Sequence, residues 1–294
     1  MNDGCEMSIR LLTPRDIPRA QRLRALAGWN QTDSDWQHLL RIEPQGCFGA
    51  WIDGRLAGTA TTTIYFDSSG NASLGWVGMV LVDPENRRKG VGSTLLRKCI
   101  AYLKERRVET IKLDATPQGK AVYDLLGFVD EYPLERWVGE AGSYAAGDSG
   151  AMAQTPLIDL AALTAYDTQY FGVDRREVLK AWLETWPACA AAAYNSSQRM
   201  TGYVLARRGS QFQQIGPLIA DTPEIANILF RHVLEQLHGQ ALIVDVISEN
   251  LWATKIVRRC GLRPQRPLIR MTLGANTCPG KPENILAICG PELG

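Results

Sequence analysis

The sequence predicts a mixed α/β protein with an α+β mixed sheet in each of two similar halves. Strand-like and helix-like apolar patterns alternate along the chain, and the order of elements in the first half recurs in the second. A stretch of small residues separates the two halves. The 294 residues are 45% hydrophobic and 21% charged, which is an ordinary globular composition and a length typical of two domains.

In the first half, short polar turns separate three strands, and such short connections favour antiparallel pairing. A helix then connects the last of these strands to the next one, a crossover that places both in one mixed sheet. The predicted elements are a strand at 8–12, helices at 15–27 and 33–42, strands at 47–52, 56–65 and 74–82, a helix at 91–106, a strand at 110–115, a helix at 118–126 and an apolar strand from 128.

Residues 140–156 are rich in Gly, Ala and Ser and predict a linker between a first domain at 1–139 and a second at 157–294. The second half repeats the element order of the first. Its predicted elements are helices at 157–165 and 175–186, strands at 188–194, 201–206 and 212–218, a helix at 223–238, a strand at 241–247, a helix at 250–259 and a strand at 268–273.

The loop from Arg87 to Ser93 is the most distinctive motif, with three cations and two glycines between a strand and a helix. Glycines let backbone amides approach a ligand, and a helix start carries unpaired N–H groups and a positive dipole. Such an end binds phosphate or pyrophosphate. The alternative is an exposed basic turn. The Rossmann fingerprint and the P-loop are both absent.

The stretch "VLVDPENRRKGVG", followed after one strand by "VYDLLGF", resembles the GNAT N-acetyltransferase superfamily over residues 8 to about 137. The resemblance implies tandem GNAT-like acyl-CoA N-acyltransferase folds and acetyl-CoA as co-substrate. It implies a bulged strand that holds the pantetheine arm and a basic loop that wraps the pyrophosphate. The implied cofactor-binding residues are Val80, Leu81, Val82, Arg87, Arg88, Lys89, Gly90, Val91, Gly92 and Ser93.

The resemblance also implies catalytic groups. Tyr123 matches a tyrosine that protonates the departing thiolate, whereas the alternative is a packing role on an amphipathic helix. Asp114 ends the strand beside the expected thioester and is a candidate base, as is Glu131 after the "GF" pair. Alternatively, Asp114 caps the turn before the next helix, and a water relay replaces a direct base.

Four residues are candidates for binding the acceptor. Trp29 and Asn30 lie in the loop between the first two helices, and Trp76 begins the strand that leads to the CoA site. Asp174, with Arg175 beside it, is the most site-like part of the second half, although a helix cap explains Asp174 as well.

The second half also resembles a GNAT domain, but a degenerate one with a supporting role. Its helix start "ADTPEIAN" lacks both the cations and the glycines of the first copy. Val257 stands at the position that matches Tyr123. The fold therefore does not need these groups, which makes a ligand the better explanation of their presence in the first copy.

The remaining composition narrows the function. The net charge of +1 gives no general attraction to nucleic acid or to an anionic membrane. The sequence has only three histidines, and its seven cysteines are scattered, which disfavours a metal site. The start of the sequence lacks a secretory pattern. We therefore expect a cytoplasmic protein with reduced thiols. A homo-oligomer is compatible with the sequence.

The sequence thus predicts an N-acetyltransferase that moves the acetyl group of acetyl-CoA to an amine of a small molecule by direct attack. The alternatives are a non-catalytic acyl-CoA-binding sensor and an acetyltransferase that acts on a peptide N-terminus or a lysine.

Overall fold

The computed structural model describes residues 7–142 and 158–294, and in this part of the chain twelve strands form one sheet covered by eight helices. The strands are β1 Met7–Leu11, β2 Cys47–Ile52, β3 Arg55–Phe66, β4 Ala72–Val82, β5 Thr110–Ala115, β6 Val129–Glu140, β7 Ala191–Tyr194, β8 Met200–Arg207, β9 Gln213–Ala220, β10 Ala241–Ile247, β11 Arg263–Leu273 and β12 Ile285–Ala287. The helices are α1 Ile17–Leu26, α2 Asp33–Ile42, α3 Val91–Glu105, α4 Pro117–Leu125, α5 Leu160–Phe171, α6 Arg176–Thr185, α7 Pro223–Gln236 and α8 Leu251–Arg259.

The element order predicted for both halves is confirmed. Strands β1 to β4 pair antiparallel in chain order, and α3 connects β4 to the parallel strand β5. Most of the linker predicted at 140–156 lies outside the described residues. None of the helices in the described ranges combines the length and the apolar content that a membrane crossing requires.

The two halves exchange their last strands, which the sequence analysis did not predict. The strand order is β1-β2-β3-β4-β5-β11-β6-β10-β9-β8-β7, with β12 beside β9. Strand β11 of the second half therefore pairs antiparallel with β5 of the first, and β6 of the first half pairs with β10 of the second. The linker divides the chain, but it does not divide the sheet.

Strand β4 leaves its parallel neighbour early. Its pairing with β5 covers only Leu74–Trp76, opposite Thr110–Lys112. On the other edge of β4, the register against β3 shifts, and Met79 has a φ of 48°, a value that is rare for a residue other than glycine. A bulge of this kind bends and twists a strand. The bulge predicted for this strand is therefore present, and β4 and β5 diverge beyond it.

The second half repeats this divergence and fills it with its own chain. Strands β9 and β10 pair only at 213–215 with 242–244. Beyond that point β12 lies beside β9, and the amide of Ile288 donates to the carbonyl of Asp245 on β10. Asn250 donates from its side chain to the carbonyl of Ile285 at 3.1 Å. The gap that remains open in the first half is closed in the second.

The chain that follows β12 then runs to the first half. The indole nitrogen of Trp76 donates to the carbonyl of Pro291 at 3.0 Å. A Cβ atom on Gly78 of β4 would lie 2.6 Å from the carbonyl oxygen of Glu292, closer than real contacts allow. A glycine at position 78 is therefore what lets residues 290–294 lie against β4.

A buried ion pair joins the exchanged strand β6 to the second half. The Nε and Nη2 atoms of Arg136 each donate to a carboxylate oxygen of Asp245, both at 2.7 Å. Both side chains are shielded from solvent, with exposed fractions of 6% and 0%. Such a pair contributes little net stability, but removing one partner leaves an uncompensated charge.

We predict that Asp245→Ala lowers the free energy of unfolding by about 3–5 kcal/mol, because it leaves the Arg136 guanidinium buried without its carboxylate. Denaturant-induced unfolding measures the change. Asp130→Ala is the matched control, since Asp130 is half exposed and pairs with Lys120 at the surface. Equal stability of the two variants would contradict a central role for the exchanged strands.

Candidate active site

A cavity of about 1120 Å³ occupies the gap between β4 and β5. One wall is the segment 77–82 of β4, and the other is formed by Leu113 and Asp114 of β5 with the start of α4. The start of α3 and its preceding loop border one end. The volume exceeds the usual range of about 300–1,000 Å³ for small-molecule and cofactor sites, so the gap has room for a large ligand.

The basic loop lies at this cavity as predicted. Gly90 has a φ of 81° and is the N-cap of α3, a conformation that favours glycine. A Cβ atom on Gly92 would make only an ordinary contact with Val82, so packing does not demand glycine there. The amides of the first helical turn have no partner within the helix. The cavity can thus offer N–H groups and cations to an anion at this end.

The structure brings most of the predicted cofactor-binding residues together. Lys89 is the exception, since it does not line the cavity and its Nζ atom lies 3.4 Å from Oδ1 of Asn86. The residues of this set that line the cavity are Val80, Leu81, Val82, Arg87, Arg88, Gly90, Val91, Gly92 and Ser93.

Tyr123 of α4 also lines the cavity and is almost fully buried. Its ring packs edge-on against Phe128 with centroids 6.0 Å apart, and a Cβ atom on Gly119 would lie 2.7 Å from it. Burial raises the pKa of Tyr123 to about 12. The phenol therefore keeps its proton at neutral pH, and its catalytic role stays a prediction.

Asp114 lines the cavity, but its carboxylate is engaged. Its two oxygens accept from Nε and Nη2 of Arg270 at 2.9 and 3.0 Å. Burial raises the pKa of Asp114, and the Arg270 guanidinium opposes this shift. Proton uptake by Asp114 would weaken a buried ion pair, which disfavours the base role predicted for it.

The alternative base, Glu131, lies elsewhere. It accepts from Lys112 at 2.9 Å and from Thr272 at 2.7 Å, and it does not line the cavity.

Of the predicted acceptor-binding residues, only Trp29 lines the cavity. Asn30 instead accepts from the amides of Gln211 and Phe212 and donates to the Phe212 carbonyl, all at 3.0 Å. Its amide group is therefore occupied in docking a loop of the second half, and its role in binding the acceptor stays a prediction.

Trp76 and Asp174 do not line the cavity either, and their roles in binding the acceptor stay predictions. Trp76 is fully buried beneath the guanidinium of Arg270, 4.6 Å from it, and holds the segment 290–294 rather than a substrate. Asp174 accepts from the amide of Arg176, the first residue of α6, at 2.7 Å. Arg175 is buried in a bidentate pair with Asp167.

Among the lining residues that the sequence analysis did not assign, three come from the second half: Arg266 of β11, and Pro291 and Glu292 beyond β12. None belongs to a motif of the first half. Arg266 reaches the cavity because β11 is exchanged, and Glu292 does so because the chain crosses from the second half to β4. Only the topology brings them to the site, so no local pattern signals them.

The matching positions of the second half present different groups. Asp221 precedes α7 there and accepts from the hydroxyl of Tyr166 at 2.7 Å and from that of Tyr170. Val257 replaces the tyrosine and is fully buried. In the described part of the chain, no cluster of three or more His, Cys, Asp or Glu side chains could hold a metal ion.

Comparisons with known proteins agree with this geometry. Residues 16–128 match the model of the acetyltransferase (GNAT) family, and residues 163–287 match that of an acetyltransferase (GNAT) domain. The chain is 23% identical over 267 residues to holothin acyltransferase of Pseudoalteromonas sp., covering 90% of this chain and 87% of that protein. It is 33% identical over 126 residues to mycothiol acetyltransferase of Acidimicrobium ferrooxidans, covering 39% of this chain and 40% of that protein.

A solved structure shares the fold over the full length. A putative acetyltransferase from Pyrococcus horikoshii superposes with a TM-score of 0.82 at 24% identity, covering 100% of this chain and 98% of that one. The two family matches fall in the two halves and together span most of the sequence. The chain therefore belongs to the GNAT family of acetyltransferases and carries two GNAT domains in tandem.

Proposed function

We propose that the protein transfers the acetyl group of acetyl-CoA to an amine of a small molecule, and that only the first half holds the donor. The observation that carries this proposal is the difference between the two gaps in the sheet. The gap between β4 and β5 is an open cavity with cations and glycines at one end. The corresponding gap between β9 and β10 is filled by β12.

The residues present fit acetyl-CoA. The loop with Arg87 and Arg88 and the first turn of α3 would take the pyrophosphate, where amides and cations face one end of the cavity. The pantetheine arm would lie along 80–82, where β4 has no neighbouring strand on the side of β5. Its thioester would then lie between the bulge at Met79 and the phenol of Tyr123.

The chain's own groups support direct transfer. A backbone N–H of β4 near the bulge would stabilise the charge that develops on the thioester oxygen, because a fixed dipole costs no reorganisation. Tyr123 keeps its proton at neutral pH and would give it to the departing thiolate. The attacking amine needs no nucleophile from the enzyme, so both substrates would be bound together.

Two features support a small acceptor. The cavity is also lined by Trp29, Pro291 and Glu292, which lie outside the motifs assigned to the donor. Both relatives named above act, by their names, on small molecules: holothin and mycothiol. The turnover assay below separates this proposal from a sensor that binds acetyl-CoA without turnover.

We predict that the double variant Arg87→Glu, Arg88→Glu loses acetyl-CoA affinity by about 100-fold or more, since two charge-assisted contacts to phosphate become repulsive. Isothermal titration calorimetry measures the Kd. Arg97→Glu is the control, because Arg97 is an exposed residue of α3 outside the cavity. Unchanged affinity in the double variant would refute the assignment of the loop.

We predict that Tyr123→Phe lowers kcat by about 100-fold, the low end for loss of a general acid, while the Kd of acetyl-CoA changes little. Release of free thiol in the presence of a panel of amines reports turnover. Tyr194→Phe serves as control, since Tyr194 lies on β7 of the second half. A wild-type protein that binds acetyl-CoA but releases thiol with none of the amines would be a sensor.

A further inference from the structure

The cavity reaches both faces of the sheet. Side chains of β2 alternate between two cores, with Cys47 in the core that contains α1 and α2, and Phe48 in the core that contains α3. Tyr123 belongs to the α3 core, and the basic loop leads directly into α3. Ala27 and Trp29 also line the cavity, but they pack against the α1 core. The groups assigned to the donor and these two residues therefore lie on opposite faces.

Three apolar residues line the cavity on the face of α1: Leu26, Ala27 and Trp29. We call them the α1 wall. Leu26 is 50% exposed, and Ala27 and Trp29 are partly buried. Single apolar side chains are common at protein surfaces, whereas a contiguous apolar surface that faces a cavity is typical of a ligand site. The α1 wall can thus bind an apolar part of the acceptor.

Contacts on both sides hold Trp29 in place. Its amide donates to the carbonyl of Arg24 at 3.1 Å, and its own carbonyl accepts from Nη1 of Arg24 at 3.3 Å and from the Ser210 hydroxyl at 3.4 Å. A Cβ atom on Gly209 would lie 2.0 Å from the side-chain nitrogen of Asn30, so glycine is what lets this loop approach. Because both backbone groups of Trp29 are engaged, its indole ring is the part that can meet a ligand. A ring fixed in advance loses little freedom when a ligand binds.

The charged residues of the cavity leave no free carboxylate for a second cation. Within the described residues two carboxylates line it, those of Asp114 and Glu292. Asp114 pairs with Arg270 at 2.9 Å, and Glu292 pairs with Arg207 at 2.6 Å. Arg266 lines the cavity as well and adds a positive charge. An acceptor with a second ammonium group would be repelled by that charge and would find no carboxylate to offset the repulsion.

We propose that the acceptor is a primary amine that carries a planar aromatic ring and no second positive charge, and that this ring lies on Trp29 and Leu26. This inference rests on the proposed function and names its acceptor class. Aromatic rings pair with tryptophan in offset or edge-on arrangements, and Leu26 extends the apolar contact. A short aliphatic amine would bury less area on the α1 wall, and a polyamine would bring a second charge to it.

The step balances without a further reagent. The neutral amine nitrogen forms a bond to the thioester carbon, the carbon–sulfur bond breaks, and the amine proton passes to water. The thiolate takes the proton of Tyr123, which solvent then restores. The products are the N-acetylated aromatic amine and free CoA.

The test compares benzylamine with ethylamine, cyclohexylmethylamine and para-xylylenediamine, with acetyl-CoA as donor and thiol release as readout. We expect kcat/KM for benzylamine to exceed that for ethylamine by about 30-fold or more, because the ring removes more apolar area from water. It should exceed that for cyclohexylmethylamine by about 5-fold, because a puckered ring cannot stack on an indole. It should exceed that for para-xylylenediamine by about 10-fold or more, because the second ammonium group is left unpaired.

The possible results separate this inference from the proposed function. Equal use of ethylamine or of para-xylylenediamine would overturn the acceptor class, and equal use of cyclohexylmethylamine would overturn the assignment of an aromatic ring. Each of these results includes turnover and so keeps the proposed function. Bound acetyl-CoA without turnover of any amine would refute both.

The variant Trp29→Ala should raise KM for benzylamine by about 10-fold or more and leave kcat/KM for ethylamine and the Kd of acetyl-CoA within about 3-fold. Trp29→Phe should recover most of this loss, since it returns an aromatic ring to the position. The control is Trp252→Ala, because Trp252 is partly buried on α8 and lies outside the cavity. An equal effect of Trp29→Ala on both amines would indicate a structural role and contradict the proposal.

The variant Leu26→Asp tests the same surface at a half-exposed position, where a polar side chain is compatible with folding. It should lower kcat/KM for benzylamine by about 10-fold, because a carboxylate on the α1 wall opposes the approach of an apolar ring. It should also narrow the preference for benzylamine over para-xylylenediamine, since the new charge attracts the second ammonium group. Leu251→Asp is the control, as an exposed leucine of α8. An unchanged preference in Leu26→Asp would contradict the placement of the ring.

Discussion

The early end of the parallel pairing between β4 and β5 is the constraint on which the site depends. Three residues of each strand pair, and then the bulge at Met79 turns β4 away. Pairing over the full length would close the sheet and leave no cavity. The divergence leaves backbone N–H and C=O groups of both strands without strand partners. Such groups cost free energy when they are buried and unpaired. A ligand with amide groups of its own, such as a pantetheine arm, can supply those partners.

The second half shows the other way of meeting the same constraint. Its strands β9 and β10 diverge as well, and β12 supplies the missing backbone partners from within the chain. Asn250 fixes that segment through the Ile285 carbonyl. The filled gap explains why the second copy can lack cations, glycines and a tyrosine and still fold. The same segment then continues to β4, where Pro291 and Glu292 line the cavity of the first copy.

The sequence was sufficient where a function depends on a local pattern. The element order, the loop from Arg87 and the position of Tyr123 at the cavity follow from neighbouring residues. The exchange of β6 and β11 could not be predicted, because two antiparallel strands of similar composition carry no signal that says which half they complete. The positions of Asn30 and Asp174 outside the cavity could not be predicted, because a polar side chain looks the same in sequence whether it meets a ligand or docks a neighbouring segment.

The central claim is that acetyl-CoA binds in the gap of the first half and nowhere in that of the second. Hydrogen–deuterium exchange with and without acetyl-CoA tests it most directly, because it reports on both gaps in one experiment. We predict slower exchange at 80–82 and 87–93 on addition of acetyl-CoA, and unchanged exchange at 214–220. Protection confined to 214–220, or no protection at 87–93 under saturating acetyl-CoA, would contradict the account.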